Sequence, residues 1–114
     1  MQTEYTGRQM NVTHSLRAQA ATGLERIERI VGRSAKAHVV FTTEKHRHMA
    51  EVTVTSGQQQ DIVGIAEATV MGAALQTALD KAEKQALRQK ERVIGRKRNA
   101  RISKADLHVQ AIAI

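Results

Sequence analysis

The sequence predicts an α+β two-layer sandwich: two helices on one face of a four-stranded mixed sheet, in the order β-α-β-β-β-α. Three observations carry this prediction. Apolar residues recur at helical spacing in two long segments, short β-branched segments lie between and before them, and the last three of those segments are close enough to be joined as hairpins. With 114 residues, no Cys, no Pro, one Tyr and one Phe, the chain has room for one domain with an aliphatic core.

Residues 2–6 alternate weakly and stop at Gly7, which makes a short first strand. Asn11 or Thr13 can cap the next helix, because a side-chain oxygen accepts from the free N–H groups of the first turn. Leu16, Ala20, Leu24, Ile27 and Val31 form one apolar stripe along that helix. Glu25 and Arg29 stand four apart on its wet side, and Gly32 ends it by accepting a left-handed cap cheaply. The run Ala37-His38-Val39-Val40-Phe41-Thr42-Thr43 is the second strand, and the polar Glu44-Lys45-His46-Arg47-His48 its connection to the next. Glu51-Val52-Thr53-Val54-Thr55 alternates at period two, Ser56-Gly57 supplies a turn, and residues 62–66 are the fourth strand. Strands two to four form an antiparallel meander, whereas the helical link makes strands one and two parallel.

The second helix is predicted from about residue 69 to about residue 96. Met71, Leu75, Leu79, Ala82, Ala86 and Val93 form its inward stripe, interrupted by Gln89, and its alanines let it lie close to its neighbours. Thr77, Lys81, Lys84, Arg88 and Arg92 form a second row. Lys84 is two residues beyond Ala82, about 200° round the helix, so the row faces outward. The domain therefore spans residues 1–98. Residues 99–114 are a basic and then apolar tail ending Leu107-His108-Val109-Gln110-Ala111-Ile112-Ala113-Ile114. Its alternation leaves two readings open: a disordered tail, or a strand added to a sheet edge of its own or a neighbouring chain, with weak self-association through the tail.

Charge points to the partner. Residues 84–104 hold nine bases against Glu91 alone, so this stretch accounts for the whole formal net charge of +7. Such asymmetry favours a polyanion. Two aromatic rings are too few for a platform that stacks single-stranded bases, which favours folded RNA recognised by shape. Other classes fit poorly. His46 and His48, with His38 as a third, lack the carboxylate or thiolate that would complete a metal site. His14-Ser15, with Glu51 or Asp61 to orient an imidazole, is a local pair at a helix start, where nucleophile–base geometry is rare. Gly64, Gly72 and Gly95 are isolated, so there is no glycine-rich phosphate loop. No catalytic residue, cofactor, metal or small-molecule substrate is expected. No apolar run approaches the roughly 20 residues of a membrane span, and the first residues carry no secretory signature; a cytoplasmic protein without a membrane partner is expected.

Several local blocks are similar to the ribosome hibernation promoting factor and ribosome-associated inhibitor family. Asn11-Val12-Thr13 followed by Ser15-Leu16-Arg17 resembles that family's entry to its first helix. Glu44-Lys45-His46-Arg47-His48 followed by Val52-Thr53-Val54 resembles its second hairpin. Met71, Ala73-Ala74-Leu75, Asp80-Lys81 and Glu83-Lys84-Gln85 resemble its second helix. The likeness covers about residues 1–98. Val70, Met71 and Gly72 stand where the family often has Asp-Met-Tyr, and Thr22 and Gly23 where many members carry bases, although Arg26 keeps charge one turn on.

The resemblance implies a bacterial stress-response factor that binds the small ribosomal subunit and its rRNA in the decoding region. There it would block the mRNA and tRNA sites and hold idle ribosomes inactive in starvation or stationary phase. The residues' own chemistry agrees. Lys81, Lys84, Arg88 and Arg92 step along the helix at about 5–6 Å, a spacing suited to successive phosphates. Arg17, Arg26, Lys45, Arg47 and His48 are the secondary RNA-binding candidates, the last three as a basic hairpin loop. The rival reading is a general structured-RNA binder or a self-associating module without ribosome specificity.

Overall fold

The computed structural model describes the backbone of residues 1–57 and 60–101, and the side chains of residues 1–57 and 60–92. The element order is β1 (Gln2–Arg8), α1 (His14–Val31), β2 (Lys36–Glu44), β3 (Arg47–Thr55), β4 (Ile62–Ala68) and α2 (Met71–Arg101). The strands lie side by side in chain order, β1 parallel to β2 and the remaining pairs antiparallel. This is the predicted mixed sheet and α+β sandwich. The apolar tail beyond Arg101 lies outside the described residues.

Local chemistry sets the ends of α1. Thr13 takes extended backbone as its N-cap and its hydroxyl accepts from the Leu16 N–H at 3.2 Å. Gly32 closes the other end at φ 98°, its N–H donating to the Glu28 carbonyl. Several boundaries differ from the sequence expectation: β1 continues through Gly7 to Arg8 and β4 to Ala68, and the larger differences are in β3 and α2. β3 begins at Arg47, so only Lys45 and His46 separate two fully paired strands, with Lys45 in the left-handed region at φ 55°. The polar run belongs to the strands because its exposed residues satisfy their backbone groups through the ladder. α2 starts two residues later than expected and continues to Arg101, since one glycine at position 95 does not by itself end a helix.

One face of the sheet is covered. Val39 and Phe41 of β2, Val52 and Val54 of β3, and Ile62 of β4 meet Ile27 of α1 and Leu75 of α2 in a fully buried core. The single phenylalanine, Phe41, is the largest side chain wholly buried in it. The tightest contact lies between α2 and β4. A Cβ at Gly64 would collide with the Ala78 carbonyl oxygen and come within 3.0 Å of the Ala82 amide nitrogen, so the helix backbone rests directly on the strand. Ala78 and Ala82 are wholly buried there. A comparable close approach joins the helices, where a Cβ at Gly23 would fall 2.6 Å from a Leu79 methyl. The Gln19 amide also donates to the Gly72 carbonyl at 2.8 Å. Gly23 thus has a packing role.

A Gly64→Ala substitution should destabilise the fold by about 1–3 kcal/mol, because the obstruction is backbone that must shift. Gly57→Ala, at a position with open space, should stay within about 0.5 kcal/mol. Equal midpoints for both variants in urea would contradict the close approach.

Candidate nucleic-acid interface

The covered face and the helix contact fix which side of α2 looks outward. Met71, Ala74, Leu75, Ala78, Leu79, Ala82 and Ala86 point into the core, and Lys84, Arg88 and Arg92 stand exposed on the remaining surface. Consecutive members are four residues apart, hence about 6 Å along the axis. Arg96, Lys97, Arg98 and Arg101 continue the basic series along the same helix.

Lys81 has a second duty. It is exposed, yet its ammonium donates to the Ile65 carbonyl at 2.9 Å. Below it, Gln85 pairs with Val63 as a neighbouring strand would: Oε1 accepts from the Val63 N–H at 3.1 Å and Nε2 donates to the Val63 carbonyl at 2.6 Å. One turn on, the Gln89 amide donates to the Gln60 carbonyl at 3.0 Å. Lys81 and Gln85 therefore satisfy the outer edge of β4, and Gln89 holds the segment just before that strand. This explains the polar interruption in the apolar stripe, which periodicity alone does not. An ammonium has three donors, so Lys81 can hold Ile65 and still meet an anion.

The secondary candidates are dispersed. Arg17 is exposed on α1, its guanidinium 5.5 Å from the centroid of the Tyr5 ring, a cation–π contact. Arg26 is exposed farther along the same helix, and Lys45 forms the hairpin tip with His46. Arg47 and His48 lie within β3 rather than in a loop, and successive strand residues point to opposite faces. Arg47 makes a two-point contact with Glu67, Nε to Oε1 at 2.6 Å and Nη2 to Oε2 at 3.0 Å. Hydrogen bonding to Arg47 holds the Glu67 carboxyl below the usual carboxylate range, and the same bond raises Arg47. That charge is already partnered. His48 is half-buried, its Nδ1 3.5 Å from the Thr43 hydroxyl. His38 is exposed on β2 and shares a 2.8 Å hydrogen bond with Thr6, so the three histidines occupy separate places. His14 and Ser15 are both exposed at the start of α1.

The chain as a whole is similar to known proteins. The family model described as Sigma 54 modulation protein / S30EA ribosomal protein matches residues 3–94. The chain is 33% identical over 102 residues to a ribosome hibernation promoting factor of Azotobacter vinelandii, covering 89% of this chain and 94% of that protein. Among solved structures, the N-terminal domain of Thermus thermophilus Protein Y aligns with a TM-score of 0.70 at 25% identity, covering 77% of this chain and 98% of that one. A ribosomal subunit interface protein from Coxiella burnetii shares the fold, with a TM-score of 0.67 at 20% identity over 80% of this chain and 99% of that one.

Two outcomes follow from the geometry. Gln85→Ala should speed hydrogen exchange at the Val63 amide and cost about 0.5–1.5 kcal/mol; unchanged Val63 protection would refute the edge contact. Because the folded Glu67 value is depressed, the Arg47 pair contributes stability above the ordinary carboxylate pKa, which is lost as pH falls through the lowered value. In Arg47→Gln, the Glu67 titration followed by NMR should move up to the ordinary range.

Proposed function

We propose, because this chain belongs to the Sigma 54 modulation protein / S30EA ribosomal protein family, that it binds the small ribosomal subunit in its decoding region and holds idle ribosomes inactive. It would act in the cytoplasm by occupying the path of mRNA and tRNA, without catalysis. The observation that supports this most is the exposed row Lys84, Arg88 and Arg92, carried on a helix whose opposite side is locked to the sheet. Arginine offers a forked donor set and lysine a mobile point charge, and neither reads base identity when it meets phosphate. A rigid row of this kind recognises the shape of folded RNA. Lys81 extends the row with its remaining donors. Arg17, Arg26 and Lys45 are further contacts on the α1 and hairpin side, whereas Arg47 would have to exchange Glu67 for phosphate. Among the described residues, no helix is long and apolar enough to cross a membrane.

Co-sedimentation with purified small subunits over a salt series tests this reading, with tRNA and large subunits as controls. Binding should be selective for the small subunit and weaken steeply with salt. The combined K84Q, R88Q and R92Q variant should flatten the dependence of log affinity on log salt by up to about three units and leave stability within about 0.5 kcal/mol. An unchanged slope would remove the row from the interface. Equal binding to every RNA would favour a general structured-RNA binder.

A further inference from the structure

The helices cover one face of the sheet and leave the other without a partner among the described residues. Pairing across the ladders places Val40 of β2, Glu51 of β3 and Ile65 of β4 in one row on this open face. Met49 and Val63 belong to the same face one step along their strands. Ile65 is 54% exposed, and Val40, Met49, Glu51 and Val63 are half-buried. Glu51 is thus a carboxylate between two aliphatic side chains, with Met49 and Val63 beside them and Thr53, His38 and Thr42 completing its surroundings on this face. Directly opposite residues on one face stand about 4.5–5.5 Å apart, so its flanks are Val40 and Ile65, and neither can pair with it. Among the described residues Glu51 forms no ion pair; the acid nearby on this face, Glu67, is held by Arg47.

This chemistry is the reverse of that on α2. A carboxylate flanked across both ladders by aliphatic side chains repels phosphate, and the polar Thr53, His38 and Thr42 border it on the same face. It suits a polypeptide that brings a lysine or arginine to Glu51 and lays its alkyl stem, or a neighbouring aliphatic residue, on Val40 and Ile65. We propose that the open sheet face docks a basic segment of a protein component of the small subunit while the α2 row holds RNA. This inference rests on the ribosome-binding reading above and adds a second contact of opposite chemistry.

The test uses the full chain with a photoreactive benzoylphenylalanine in place of Ile65, irradiated with purified small subunits. The expected product is a ribonuclease-resistant, protease-sensitive adduct with a ribosomal protein, whose crosslinked peptide contains Lys or Arg. Glu51→Lys should lower small-subunit affinity about tenfold or more at fixed salt, with the unfolding midpoint retained. An adduct with rRNA, an adduct with a second copy of this chain through its apolar tail, or co-sedimentation with no adduct overturns the protein-docking assignment and leaves ribosome binding intact. Absence of co-sedimentation by the unmodified chain overturns both.

Discussion

The seat of α2 on β4 is the constraint on which the other features depend. Gly64 brings strand backbone against the Ala78 carbonyl and the Ala82 amide, leaving no side chain between the two elements. At that separation the helix cannot roll without a clash, so its rotational setting is fixed. Lys81 and Gln85 then fall along the free edge of β4 and satisfy its backbone groups, while Gln89 holds the Gln60 carbonyl just before the strand. With that side committed to the strand and the neighbouring side to Gly23 of α1, the exposed remainder holds Lys84, Arg88 and Arg92. One close contact thus closes an exposed sheet edge, which would otherwise invite strand pairing, and aims a charged row.

Charge and apolar surface are divided between the two sides of the molecule. The helical layer bears the basic row, and the open sheet face bears aliphatic residues around Glu51. A protein working only against a phosphate backbone has no use for the second surface, whereas one wedged between RNA and protein can use both. Family membership supplies such a setting, since the family description and the relatives' names refer to ribosomes.

Much of the fold was legible because its signals are local. The cap at Thr13, the left-handed Gly32, the apolar stripe of α1 and the parallel pairing implied by a helical crossover all follow from neighbouring residues. The strand boundaries that differed depend on pairing across strands. Arg47 and His48 look like loop residues until the Glu44↔Arg47 register is known. The outward row on α2 was likewise readable from periodicity. Three things were not. Gly64 looked isolated, though it is the seat of the helix. Gln89 looked like an interruption, though it ties the segment before β4 to the helix. The pairing of Arg47 with Glu67 joins residues twenty apart in sequence. Each is a tertiary contact between residue types that carry no periodic signature, and the bare second face of the sheet becomes visible only when both helices are placed on the first.

The most direct measurement of the central claim is chemical footprinting of small-subunit rRNA with the wild-type chain and with the combined K84Q, R88Q and R92Q variant, at equal occupancy. Wild-type protection of phosphates in the decoding region is expected, with a contiguous subset exposed again in the variant. Protection confined to other regions of the subunit, or an identical footprint for both chains, would contradict it.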